Sequence, residues 1–212
     1  MNLELLTCQR LTAALLYPPI SPSRNDLALF FSALSQRFDV SSLTYLPDGA
    51  RLSQGDTEIL VQQSRTQVTM SFSTHFQGLR DQVIEVFRLV VEQFNIRSFS
   101  AFGVKLIAFQ PTEESSADIL ERNLLAASPE RLAQLGPGRT GTGFRFNFRR
   151  EAIYDLRIEP YFLDLNQLYI ELDINLPQAF SSLDEMTPCL GRAYDYLLGD
   201  VREFLASLNG GS

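Results

Sequence analysis

The stretch that most constrains this chain is residues 144–176. It reads F-R-F-N-F-R, then I-Y-D-L-R-I-E-P, then L-Y-I-E-L-D-I-N-L, three runs in which apolar and polar residues alternate. Successive side chains of a strand point to opposite faces, so alternation at period two marks strands with one buried and one wet face. The third run is the clearest. Leu168, Ile170, Leu172, Ile174 and Leu176 fall on one face, and Tyr169, Glu171, Asp173 and Asn175 on the other.

Earlier segments alternate between the two periods. Residues 11–17 form a buried strand stopped by Pro18 and Pro19. Residues 25–38 carry Leu27, Phe30, Phe31, Leu34 and Phe38 at helical spacing, with Ser23 or Asn25 as cap. A short strand over 43–46 ends at Pro47-Asp48-Gly49, a turn signal, and 58–63 with 67–73 read as a hairpin around 64–66. Residues 77–94 predict a strongly amphipathic helix, its stripe running through Leu79, Val83, Val86, Phe87, Val90 and Phe94. A strand over 99–109 follows, ended by Pro111, and Ser115 or Ser116 opens a helix to about 125. Ser128-Pro129 begins another short helix, with serine as cap and proline in the first turn. Thr187-Pro188 starts a last helix with Leu190, Tyr194, Leu197, Val201, Phe204 and Leu208 inward.

The order is strand, helix, two or three strands, long helix, and then the same again. Pro19 and Pro111, Asp26 and Asp118, and Leu27 and Ile119 repeat at one constant offset. The expected fold is α+β: duplicated β-α-β-β(-β)-α units forming a curved, mostly antiparallel sheet, with long helices packed on one face. A chain of 212 residues then makes one domain, 1–212, with pseudo-repeats over about 5–96 and 97–208 in one continuous sheet, since the link at 95–98 lacks linker composition.

Bulk properties narrow the partners. A composition 45% hydrophobic and 20% charged is that of a globular chain, and a net charge of −7 argues against general nucleic-acid binding, which needs clustered cations. Lys105 is the only lysine. Cys8 and Cys189 lack C-x-x-C spacing and a nearby histidine, which fits a reducing compartment. With no basic, apolar leader and no apolar run approaching about 20 residues, the expectation is a cytoplasmic protein without a membrane partner. Residues 209–212 read as a frayed tail.

Candidate chemistry is sparse. Gly136-Pro-Gly-Arg-Thr-Gly141 matches G-x-G-x-x-G, but a helix precedes it and a strand follows. The dinucleotide fingerprint needs the reverse, because the helix N-terminus receives the phosphates. The loop therefore reads as a flexible, mobile connector, with Arg139 leaving anion contact as a minor option. His75 is the sole histidine, which nearly excludes histidine-based zinc sites; a surface or capping role suits its place before a helix. Neither Ser73 nor Cys8 has a context that marks it as a nucleophile beside it. Glu171 and Asp173 share one wet strand face with Tyr169, and Asp155, Arg157 and Glu159 alternate on the neighbouring strand. Two carboxylates at i and i+2 suit a hard cation or acid–base work if partly buried, whereas cross-strand pairing with arginine explains them without a ligand. Phe144, Phe146 and Phe148 read as core rather than as a base-stacking platform. In the turn Pro160-Tyr161-Phe162-Leu163 the aromatics read as packed under the sheet edge.

The segment Phe102-Gly-Val-Lys-Leu-Ile-Ala-Phe109 after a long helix, with Leu156-Arg-Ile-Glu-Pro and Leu172-Asp-Ile far downstream, resembles a sporadically distributed family of uncharacterised bacterial proteins. The resemblance covers about a third of the chain, and the first motif here is less basic and lacks the family's tyrosine. It implies no activity, and no functional residue carries over from it. The duplicated order is also similar to effector-binding domains of paired strand-helix-strand-strand units, and to metal-dependent folds of paired β-α-β-β-β modules.

The leading expectation is a non-enzymatic interaction protein, meeting a protein partner or a second copy through a sheet face or edge, with no cofactor and no metal. The alternative is a small-molecule effector-binding module with a pocket between sheet and helices near Tyr169, Glu171, Asp173 and Arg157. A hydrolase or transferase would need His75 to meet Glu171 or Asp173.

Overall fold

The alternating runs become strands of one open sheet. The computed structural model describes every residue except 39, 73, 74, 137 and 209–212, so the expectations for Ser73 and for the 209–212 tail lie outside the described residues. Strand β1 (Thr7–Leu16) is followed by helix α1 (Arg24–Ser35), strands β2 (Ser42–Leu46), β3 (Gly49–Gln54), β4 (Thr57–Gln62) and β5 (Arg65–Ser71), and helix α2 (Phe76–Gln93). Strand β6 (Ala101–Pro111) opens the second half. Helices α3 (Ser116–Leu124) and α4 (Pro129–Ala133) lead to strands β7 (Phe144–Arg149), β8 (Ile153–Pro160) and β9 (Gln167–Leu176), then helices α5 (Thr187–Tyr196) and α6 (Arg202–Ser207).

The nine strands lie in the order β2-β3-β4-β5-β1-β6-β9-β8-β7, every neighbour antiparallel, so β2 and β7 are the two edges. β1 and β6 join the halves at the centre, with Leu11 opposite Leu106 and Ala13 opposite Val104. The last strand of each half folds back beside its first, β5 on β1 and β9 on β6.

Alternation sets the core. Leu11, Ala13 and Leu15 of β1, Val104 and Leu106 of β6, and Ile170 and Leu172 of β9 are buried, as are Phe30 of α1, Val83 and Phe87 of α2, and Leu190 of α5. Each of these side chains larger than alanine, taken from water, contributes about 1.5–3 kcal/mol. The rings of Phe87 and Phe102 meet edge to face, centroids 6.3 Å apart. α2 packs on β5, α5 on β6, α3 on β8 and α1 on β3.

The helix starts follow local chemistry. Ser23 caps α1, accepting from the Asp26 amide at 3.1 Å while the Asp26 carboxylate returns a bond to the Ser23 backbone. Ser115 accepts from the Asp118 amide of α3 in the same way. His75 holds the N-cap position of α2 without a side-chain capping bond among the described residues.

Two elements differ from the sequence reading. β3 is a full strand where a turn and loop were expected. Its run G-A-R-L-S-Q carries only Ala50 and Leu52 as apolar inward residues, too little for a period-two signal, and Gly55 at φ +54° turns it into β4. The single C-terminal helix expected from 187 onward is divided by a π-helical turn at Leu197–Val201. The wider turn inserts an extra residue, and Leu197, Val201 and Leu205 all remain buried.

Candidate functional site

The residues singled out on the sequence come together on the half-exposed side of β8 and β9. Tyr169 donates its hydroxyl to Glu171 Oε2 at 2.8 Å, and Lys105 of β6 reaches Glu171 Oε1 at 3.3 Å and Asp173 Oδ2 at 3.5 Å. Arg157 stands 3.9 Å from Glu171 Oε1. Asn175 donates to Asp173 Oδ1 at 2.9 Å, and Arg145 of β7 grips Asp155 with two nitrogens. The register accounts for this pattern. It sets Lys105 opposite Asp173, Asp173 opposite Asp155, and Glu171 opposite Arg157. Two facing aspartates repel, and Lys105 on one flank with Arg145 on the other offsets that repulsion.

The titration follows from these contacts. Burial works against ionisation of Glu171, but the Tyr169 hydroxyl, Lys105 and Arg157 outweigh it and hold its carboxyl below the usual range. The Arg145 guanidinium holds the Asp155 carboxyl low in the same way. Burial and the Glu171 carboxylate push the Tyr169 hydroxyl up. Carboxylates held low make weak bases and no acids near neutral pH. Among the described residues no group of three or more His, Cys, Asp or Glu is placed to hold a metal ion, and no ion pair joins the exposed His75 to a carboxylate.

Beside the cluster the sheet surface sinks into an open groove of about 470 Å³, lined by Thr12, Ala14 and Leu16 of β1, Arg65 and Gln67 of β5, Gly103 and Lys105 of β6, and Asp173 and Asn175 of β9. Of the candidate site residues Tyr169, Glu171, Asp173 and Arg157, only Asp173 lines it. The groove is a depression between strands, whereas the expected pocket lay between sheet and helices. The sequence marks Lys105 as the only lysine and puts Asn175 on the wet face of β9 without singling out either for a site, and Arg65 carries no signal of its own.

A second recess lies at the β7 edge. Phe146 and Phe148 of β7, Leu156 of β8, and Tyr196, Asp200, Val201 and Phe204 around the π-helical turn enclose an apolar slot of about 220 Å³. The Phe146 and Phe204 rings meet edge to face at 5.6 Å, and Phe148 stacks on Tyr154 at 5.1 Å. Arg150 lies over the rings of Phe148 and Tyr196 at 5.5 and 5.8 Å.

Other candidates resolve differently. Arg139 pairs with Glu121 and bonds Thr142 at 3.1 Å, so it faces a carboxylate. Gly141 sits at φ +154°, and a Cβ there would stand 2.9 Å from both Ala117 and Pro160, so the loop is pinned against α3 and β8. In the β8–β9 turn Tyr161 packs on Phe109 at 4.7 Å, as expected, but Phe162 and Leu163 are 62% and 85% exposed. The turn has only six residues, 161–166, outside the strands to cover them. Among the described residues no helix is long and apolar enough to cross a membrane.

No family model and no curated protein matches the chain. Among solved structures, one titled "Crystal structure of aspartokinase alpha and beta subunits" aligns at 8% identity over 90% of this chain and 94% of that chain, with a TM-score of 0.23. A likeness at that score carries no argument about fold or function.

Proposed function

We propose that this chain is a non-enzymatic interaction protein that docks an extended segment of a protein partner along the β7 edge. The observation that carries the reading is the apolar slot beneath that edge, with a π-helical turn on its wall. Such turns recur at functional sites. A strand added to β7 would extend the sheet by main-chain hydrogen bonds, and its alternate side chains would fall into the slot beside Phe146 and Phe148. Its remaining side chains would meet Arg145 and Arg149. In a chain of net charge −7, three arginines within six residues (Arg145, Arg149 and Arg150) make this edge locally basic. Arg149 and Arg150 have no carboxylate within ion-pair distance among the described residues. The partner segment is therefore one that alternates apolar and acidic residues.

The same reading takes the helices as packed on one sheet face, leaving the face with Lys105 and Glu171 open. It also takes the two halves as a duplication. The two serine caps lie at one offset, Ser23 before Asp26 and Ser115 before Asp118.

Fluorescence anisotropy with a short labelled peptide alternating valine and glutamate tests the proposal. Saturable binding, weakened at least tenfold by Arg149→Glu and absent for a valine–lysine peptide, is the expected result. Equal binding of both peptides, or none at millimolar concentration, overturns it. Light scattering that finds a dimer lost in Arg149→Glu would make the occupant a second copy and also overturn the acidic-segment reading.

A further inference from the structure

The groove between β5, β1, β6 and β9 lies on another part of the sheet from the β7 edge, and its chemistry is different. Its floor is Ala14 and Gly103, which are cross-strand partners. Glycine weakens a strand interior, and one retained there often marks a place where a ligand or another backbone approaches closely. At Gly103 a Cβ would meet Asn175 Oδ1 at 3.0 Å, so any larger residue would displace the rim as well as raise the floor.

Among the described residues the rim carries one cation without an ion-pair partner. Arg65 is half-buried, its Nε lies buried without a hydrogen bond, and its guanidinium has no carboxylate within ion-pair distance among the described residues. Lys105 across the groove is already held by Glu171 and Asp173. A buried, unmatched donor costs stability, and a partly desolvated guanidinium gains more from an incoming anion than a fully solvated one. The groove also presents the neutral groups a small polar molecule would need: the Gln67 amide and the Thr12 hydroxyl near the Arg65 side and the Asn175 amide across it.

We propose that this groove binds a small organic acid, with its carboxylate or phosphoryl group on the terminal nitrogens of Arg65 and its hydroxyl or carbonyl groups on Gln67, Asn175 and Thr12. A volume of about 470 Å³ suits a ligand of metabolite size. The open shape and the lack of aromatic lining favour a polar ligand over an apolar one. Asp173, paired with Lys105 and accepting from the Asn175 amide, forms the far wall.

The test is an amide NMR titration of the full chain with citrate, with inorganic phosphate and with glycerol as the uncharged control, at constant ionic strength. Saturable shifts confined to the amides around Ala14, Gln67, Gly103 and Asn175 are expected with citrate or phosphate and not with glycerol. Citrate alone would assign the site to carboxylates, and phosphate alone to phosphoryl groups. Arg65→Gln should weaken binding at least tenfold while circular dichroism is unchanged. Should that variant fail to fold, Ala14→Leu fills the groove from its floor and should abolish the shifts. No saturable shift, shifts spread over the surface arginines, or binding unaffected by these changes would overturn the assignment. The peptide assay at the β7 edge is independent of each of these outcomes.

Discussion

The hairpin that presents Arg65 is braced at its turn by a buried hydrogen-bonded pair, and that pair can be taken apart. At the end of β1 the Tyr17 hydroxyl donates to the Gln62 carbonyl at 3.0 Å and shares a bond of 2.8 Å with the Thr66 hydroxyl. Thr66 is fully buried and Tyr17 is 2% exposed. Burial pushes the Tyr17 phenol up to about 12, against the Thr66 bond. Tyr17→Phe leaves the Thr66 hydroxyl and the Gln62 carbonyl without their partner, which costs about 1–3 kcal/mol. Thr66→Val removes one hydroxyl with little change of shape and leaves Tyr17 its bond to Gln62, so it costs about 0.5–1.5 kcal/mol, one ordinary hydrogen bond. In the double variant the stranded hydroxyl is gone. The two losses therefore should not add, and a favourable coupling of about 1 kcal/mol is expected from residues in direct contact. Because the chain has no tryptophan, urea unfolding is followed by far-ultraviolet circular dichroism. For a chain of this size each kcal/mol corresponds to about 2–4 °C in Tm. Strictly additive losses, or a Tyr17→Phe change smaller than the Thr66→Val change, would refute the asymmetry between losing a bond and stranding a buried group.

Further outcomes follow from single sites. Gly49→Ala places a Cβ 1.8 Å from the Val61 carbonyl oxygen, so β3 must shift and stability should fall by about 1–3 kcal/mol in the same urea assay. Phe87→Ala opens a hole under Phe102 and should cost about 3–5 kcal/mol. Burial pushes the Cys8 thiol up to about 12 and Cys189 is 2% exposed, so neither should react with a chromogenic disulfide reagent at neutral pH until urea unfolds the chain. The lowered carboxyls of Asp155 and Glu171 give stability that is fully present above the ordinary carboxylate pKa of about 4 and is lost as pH falls through their lower folded values. Asp155→Asn should accordingly flatten the acid limb of a Tm-against-pH profile and leave its slope above neutrality unchanged.

The elements with strong periods were legible because burial writes its period into the sequence. β9 and α2 sit within a residue or two of where alternation and the apolar stripe put them. Alternation likewise put Tyr169, Glu171, Asp173 and Arg157 on polar faces. Pairing of β8 with β9 and of β9 with β6 is what brings them together around Lys105. β3 left little trace, since a strand that buries only one alanine and one leucine within it looks like a loop. The π-helical turn left none, because its buried leucine, valine and leucine keep a four-residue spacing that an α-helix also accepts.

Arg65 shows why the groove could not be found from the chain alone. Between Ser64 and Thr66 it reads as the middle of a hairpin turn, pointing to solvent. What makes it a strand residue is long-range: Tyr17 donates its amide to the Ser64 carbonyl, and Leu16 pairs with Arg65 in register. That register is in turn fixed by which face of β1 is buried, since a slip of one residue would exchange Leu15 for Leu16 in the core. The same parity that puts Leu11, Ala13 and Leu15 inside puts Thr12, Ala14 and Leu16 on the groove. On β6 it sets Gly103 and Lys105 opposite Ala14 and Thr12. The floor, the unmatched cation and the polar rim thus come from four strands whose sequences carry no shared motif, and a single constraint, the burial parity of β1, aligns them.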